Sequence, residues 1–167
     1  RAVLVQPSVY GTDNRAILAA LKSYPQQFRG VAVISNDPNA TSDNELADLH
    51  AAGVRGLRCN IVDIADKSAG LPIEQLRNLA KRIQPLGWHL ELLMHVNEYP
   101  DLAKTFADFP VDLVFGHFGY VHAKHGVADQ GFQGLLDLMK SERAWVKMTG
   151  PYRLCDGDLP YLDMRPF

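Results

Sequence analysis

Leu86-Gly87-Trp88-His89-Leu90-Glu91-Leu92-Leu93-Met94-His95 opens the stretch that decides the fold, an apolar strand that ends in a histidine. An amphipathic segment follows over Asp101–Asp108. Then Val111-Asp112-Leu113-Val114-Phe115-Gly116-His117 supplies a second apolar strand with a second terminal histidine. Strand, helix and strand within about thirty residues is the rhythm of a parallel βαβ unit. The rhythm continues in both directions. Ala2–Gln6, Val31–Ile34, Val54–Asn60 and Ala144–Thr149 read as further strands, which with Trp88–His95 and Val111–His117 makes six. Most are too apolar for a sheet with one wet face, so they are expected to be parallel strands covered on both sides.

The segments between them carry helix punctuation. Thr12 or Asp13 is placed to cap a helix bearing Ile17, Leu18 and Leu21. Ser42 with Glu45 three residues later forms a capping box ahead of Leu46 and Leu49, with a stop at Gly53. Pro72 suits the first turn of a helix with Ile73, Leu76, Leu79 and Ile83 on one face, closed by Gly87. Gln130–Lys140 reads as another helix. The class is therefore α/β, either a doubly wound open sheet or a (β/α)₈ barrel. Neither the GxGxxG fingerprint nor the GxxxxGK[ST] loop occurs. Six strands fit in this length, whereas a whole barrel takes about 250 residues. The chain begins on a strand, and Tyr161–Phe167 resembles the first turn of one more helix. The expectation is one domain over residues 1–167, the central part of a longer chain.

The 167 residues are 47% hydrophobic, 22% charged and 9% aromatic, with a formal net charge of −2. That excludes a disordered polymer, a collagen-like repeat and a disulfide-dense mini-protein. No apolar run is long enough to span a membrane, and no basic block invites nucleic acid. Cys59 and Cys155 form no CxxC pair, and a reducing cytoplasm is the expected setting. The expected partner is a small-molecule substrate. Unpaired strand edges also invite association with a second copy.

In a parallel α/β fold the carboxyl ends of the strands face the active site. Polar residues gather at those ends here: Gln6 and Ser8, Arg58 and Asn60, His95, His117, and Thr149 with Arg153 beyond it. His95 and His117 end consecutive strands, and imidazole serves as metal ligand or as acid and base near neutral pH. The plain alternative is that each bonds a loop carbonyl. His117, between Gly116 and Gly119, reads as functional, while His95 fits both accounts equally. Arg58 and Arg153 can bind a carboxylate with two prongs, and Lys147, read as buried inside a strand, can add a point charge; ion pairing with a nearby acid is the structural alternative. Glu91 shares strand parity with His95 and can point inward as ligand or counter-ion. His50 suits a helix C-terminus, His89 the opposite end of its strand, and His122 and His125 a loop. The cysteines read as structural, and Tyr10 and Tyr152 as packing or pocket residues.

Several stretches together resemble the amidohydrolase-related family. They are Gln6-Pro7-Ser8-Val9-Tyr10-Gly11-Thr12-Asp13-Asn14, Ala52-Gly53-Val54-Arg55-Gly56-Leu57-Arg58-Cys59-Asn60, Leu86-Gly87-Trp88-His89, Gly116-His117-Phe118-Gly119, and Trp145-Val146-Lys147-Met148-Thr149-Gly150-Pro151-Tyr152-Arg153-Leu154. The nearest branch resembled is that of 2-pyrone-4,6-dicarboxylate lactonases and related sugar-lactone hydrolases. The resemblance implies a (β/α)₈ barrel, of which this chain holds about strands two to seven, that opens a lactone or related ester with water. It implies His117 as the catalytic residue, His95 and His117 as ligands of a divalent ion such as zinc, and Ser8, Arg58 and Arg153 as substrate-binding residues, to which the residue reading adds Lys147. A metal-free mechanism is the alternative within the same branch. The family's HxH pair and late Asp do not occur in residues 1–167, and Ile64 and Tyr120 stand where the lactonases carry arginines. A metal-dependent decarboxylase of the same barrel and a non-catalytic segment are the rival readings.

Overall fold

The computed structural model describes residues 1–35, 37, 40–63 and 70–167. Among the described residues, six strands alternate with five α-helices: β1 (Ala2–Val5), α1 (Arg15–Ser23), β2 (Phe28–Ala32), α2 (Asp43–Ala51), β3 (Val54–Asn60), α3 (Ile73–Ile83), β4 (His89–Leu93), α4 (Leu102–Phe106), β5 (Leu113–Phe115), α5 (Gln130–Met139) and β6 (Ala144–Val146). The hydrogen-bonded order β1-β2-β3-β4-β5-β6 follows the sequence without a swap, and the strands run parallel. This is the α/β arrangement expected of barrel strands.

Two compact units share the chain: Arg1–Cys59 with Asp66–Glu91, and Asn60–Ala65 with Leu92–Phe167. In the first, β1 and β2 pair from Ala2 opposite Phe28 to Val5 opposite Val31, and the β2–β3 register shifts between Gly30 and Val31. The β2 strand lies earlier than the expected Val31–Ile34. Its start follows backbone pairing with β1 rather than side-chain polarity, so Phe28 and Arg29 join it. Gly30 permits the close packing of α1, since a β-carbon there would sit 2.9 Å from Leu21 Cδ1. Val33 and Ile34 lie beyond the strand. Asn14 continues the pairing there, with its side chain accepting from Val33 N at 3.1 Å and donating to Val33 O at 2.7 Å.

Helix termini show both kinds of outcome. The capping box is present: Ser42 Oγ accepts from Glu45 N, and Glu45 accepts from Ser42 N. The cap of α1 is instead Asn14, not Thr12 or Asp13, and without a side-chain capping bond. Asp13 is taken by Arg15, whose side-chain hydrogen bonds hold its exposed carboxyl down at about 2. Pro72 precedes α3 as its N-cap rather than standing in the first turn. Leu76, Ala80 and Ile83 on α3 and Ile17 and Leu21 on α1 are buried, as their spacing requires. Residues 162–164 form a single 3₁₀ turn.

In the second unit, Leu102, Phe106, Phe115, Phe132 and Leu135 form the core beside β5. Each such side chain contributes roughly 1.5–3 kcal/mol on burial. No described helix is long and apolar enough to cross a membrane. Helix α5 approaches the segment after β4 so closely that a β-carbon on Gly131 would run into the Val96 carbonyl oxygen. Backbone on both sides leaves no room to yield. Gly131→Ala is therefore expected to cost about 2–4 kcal/mol, read as a lower denaturation midpoint. Gly87→Ala, where nothing lies within 4 Å and only the left-handed φ of 65° resists, should cost about 1 kcal/mol. Equal losses at the two positions would contradict this packing.

Candidate functional site

The site residues read from the sequence fall at the carboxyl ends of their strands. In the first unit, Arg58 near the end of β3 donates from Nη1 to Ser8 Oγ at 3.0 Å, in the turn after β1. The guanidinium is partly exposed, and the Ser8 hydroxyl helps aim it. Gln6, expected among the polar strand ends, is buried and holds the following loop instead, with its amide donating to Asp13 O at 2.6 Å. Cys59 is partly covered, and burial pushes its thiol up to about 12, against the opposing pull of Arg58. His50 accepts from the buried Trp88 indole at 2.9 Å, and His89 fills the space that Gly56 leaves open, so both are structural.

In the second unit, β5 leads into a turn of unusual backbone. His117, Phe118 and Tyr120 take φ of 49°, 53° and 56°, and Gly119 takes 67°. Side chains rarely adopt that left-handed region, at a cost of order 1–2 kcal/mol per residue. Phe118 N donates to Lys147 O at 3.0 Å, and Lys147 N donates to Phe115 O at 2.8 Å. Lys147 thus staples the turn through its backbone. It stands one residue past β6 and half-buried, a correction to its expected place buried within the strand, because β6 pairing ends at Val146.

His117 Nδ1 lies 2.8 Å from Thr149 Oγ1 and 3.2 Å from Thr149 O. The carbonyl only accepts and favours the proton on Nδ1, while the hydroxyl can also donate and so permits the proton on Nε2. The glycine that makes room for this ring is Gly150, where a β-carbon would fall 2.8 Å from His117 Nδ1. At Gly116 an added β-carbon would meet Leu93 Cδ1 at 3.3 Å, not the ring. His95 Nδ1 lies 3.0 Å from Tyr120 O. A carbonyl only accepts, so Nδ1 carries the hydrogen and the lone pair of the neutral ring is on Nε2.

Tyr120, noted in the sequence only as standing where the lactonases carry an arginine, lies against both imidazoles. Its ring meets His95 edge-on at 4.7 Å between centroids and His117 at 5.9 Å. Arg153 is exposed and donates to Tyr152 Oη at 3.3 Å, and the neighbouring tyrosine hydroxyls, Tyr152 first, strengthen its hold on its proton. Only the glycines around His117 hinted at the turn, and its direction is set by packing. Ile64 lies outside the described residues.

A family model described as Amidohydrolase matches residues 1–167. The chain belongs to the amidohydrolase family. A 2-pyrone-4,6-dicarboxylate hydrolase of Comamonas testosteroni is 36% identical over 156 residues, which cover 92% of this chain and 49% of that protein. A candidate 2-pyrone-4,6-dicarboxylic acid hydrolase of Pseudomonas putida is 39% identical with a TM-score of 0.77, over 95% of this chain and 56% of that one. A candidate enzyme of the same description from Acinetobacter baumannii, solved with citric acid bound, is 32% identical with a TM-score of 0.76, over 95% of this chain and 57% of that one. The chain spans about half the length of the curated relatives it matches. Metal dependence is common among amidohydrolases. Among the described residues, however, no three His, Cys, Asp or Glu side chains gather to hold an ion, and the Tyr120 ring lies against both imidazoles. These residues by themselves do not fit a metal centre.

Two outcomes follow from this geometry. Gly150→Ala should displace the His117 ring and strain a φ of 70°, lowering stability by about 1–2 kcal/mol and shifting the imidazole proton resonances. Unmoved resonances would contradict the close approach. Cys59 should react with iodoacetamide at pH 8.5 at least ~10-fold more slowly in the folded chain than in urea, read by peptide mapping. A thiol pushed from 9.0 to about 12 stabilises the fold fully below pH 9, and that contribution is lost as pH climbs toward 12.

Proposed function

We propose that the whole protein hydrolyses a small lactone bearing carboxylate groups. The single observation that carries this reading is the Arg58–Ser8 pair at the end of β3, in a chain 36% identical to a 2-pyrone-4,6-dicarboxylate hydrolase. Arg58 presents a planar, permanently charged donor that fits a carboxylate with two parallel hydrogen bonds, and Ser8 holds its orientation. Arg153, which donates to Tyr152 Oη, is a further candidate for carboxylate binding. Citric acid bound to the Acinetobacter baumannii relative supports a preference for polycarboxylates.

In hydrolysis, water adds its oxygen to the ring carbonyl carbon, the ring C–O bond breaks, and the leaving oxygen takes a proton. Negative charge grows on the carbonyl oxygen as water attacks, and a donor placed there lowers the barrier. His117 fills that role when its proton sits on Nε2, the form that the Thr149 hydroxyl supports by donating to Nδ1. Lys147 adds positive charge near the same turn. Each of these roles belongs to a side chain, and no step runs through a metal. Hydrolysis is preferred over decarboxylation because the curated relatives break a lactone ring.

The test uses the full-length protein. Arg58→Lys and Arg153→Lys keep the charge but lose the forked geometry, so kcat/KM on 2-pyrone-4,6-dicarboxylate should fall roughly 10- to 100-fold. Turnover of neutral 2-pyrone should change by less than about threefold, because there is no carboxylate to hold. Equal losses on both lactones, with a lowered melting temperature, would make the arginines structural and end the anionic-substrate reading.

A further inference from the structure

Two oxygens of Thr149, of opposite hydrogen-bonding character, meet one nitrogen of His117. Thr149 Oγ1 lies 2.8 Å from His117 Nδ1, and the Thr149 carbonyl oxygen lies 3.2 Å from the same atom. The backbone builds this meeting. Lys147 O accepts from Phe118 N at 3.0 Å and from Thr149 N at 2.9 Å. A single carbonyl thus ties the turn that carries the imidazole to the segment that carries the threonine. Gly150 follows with a φ of 70°, and its missing β-carbon leaves the ring its place. Thr149 itself is exposed, so core packing does not account for a threonine there.

We infer that Thr149 is a positioning residue that decides which nitrogen of His117 carries the hydrogen, and so whether that imidazole meets the substrate as donor or as acceptor. A carbonyl oxygen only accepts, so it draws the hydrogen to Nδ1 and leaves a lone pair on Nε2. A hydroxyl can donate to Nδ1, which leaves the hydrogen on Nε2. The hydroxyl is the closer of the two oxygens and tips the ring to the Nε2–H form. That form is the one able to donate to an oxygen on which negative charge develops. His95, with its Nδ1 on the Tyr120 carbonyl, shows the opposite outcome. The inference deepens the lactone-hydrolase reading and rests on it for the reaction, but the proton assignment does not.

The experiment uses Thr149→Val and Thr149→Ser in the full-length protein. Val keeps the shape and loses the hydroxyl, which leaves the backbone carbonyl at Nδ1, whereas Ser keeps the hydroxyl. The nitrogen resonances of the His117 ring, read without ligand at about pH 8.5 where an ordinary imidazole is neutral, report which nitrogen bears the hydrogen. Wild type and the Ser variant should carry it on Nε2, and the Val variant on Nδ1. On 2-pyrone-4,6-dicarboxylate, Val should lower kcat roughly tenfold or more and change KM by less than about threefold. Ser should keep kcat within about threefold of wild type. A merely structural threonine would leave the nitrogen pattern unmoved in both variants. The inference is overturned by hydrogen on Nδ1 in the wild type, by a wild-type pattern in the Val variant, or by a Ser variant that behaves like Val. A shifted pattern in the Val variant with unchanged kcat would uphold the proton assignment and remove His117 from the donor role. Failure of the wild-type protein to open any carboxylated lactone would instead defeat the substrate reading, and the resonances would still decide the role of Thr149.

Discussion

The left-handed turn His117–Tyr120 is the constraint on which the second unit of this chain depends. Three residues with side chains sit where only glycine is comfortable, so the turn persists only because its surroundings leave no alternative. Phe118 is buried with Leu154, Cys155 and Met164. Gly119 lies where any β-carbon would strike Leu135 and Val96 within 3 Å. The Lys147 carbonyl takes the Phe118 N–H, and the Tyr120 carbonyl engages His95. Burial and hydrogen bonds together exceed the strain, and the two imidazoles come to rest against one aromatic ring.

That arrangement treats the two imidazoles differently. One histidine is held by a carbonyl and keeps a single proton arrangement. The other faces both the hydroxyl and the carbonyl of Thr149, and the hydroxyl leaves it able to donate or accept. Arg58 donates to Ser8 in one unit, and Arg153 donates to Tyr152 in the other. Glycine matters here chiefly by what it leaves empty. Gly150 clears space for the His117 ring, and Gly131 lets α5 press on the segment after β4.

Much of this was legible from the residues. Apolar runs ending in polar side chains located the strands, and β3 occupies the expected Val54–Asn60. The Ser42–Glu45 box is encoded locally and formed as read. The family resemblance extended over the whole chain, as the match to residues 1–167 bears out. What escaped was fixed at a distance. The β2 strand begins at Phe28 because β1 supplies backbone partners there, which no hydropathy pattern records. Asp13 went to Arg15 rather than to the α1 cap, and Gln6 to a loop carbonyl rather than to the site. Tyr120 escaped because a positive φ on a tyrosine follows from packing around it, not from its own preference.

The central claim is that charge on the lactone is what the site recognises. The most direct measurement compares kcat/KM of the full-length protein for 2-pyrone-4,6-dicarboxylate and for its dimethyl ester, with the same ring and the same scissile bond. Paired arginines predict a preference for the dicarboxylate of roughly 100-fold or more, the scale of two charge-assisted contacts. Equal rates, or faster opening of the ester, would contradict the account.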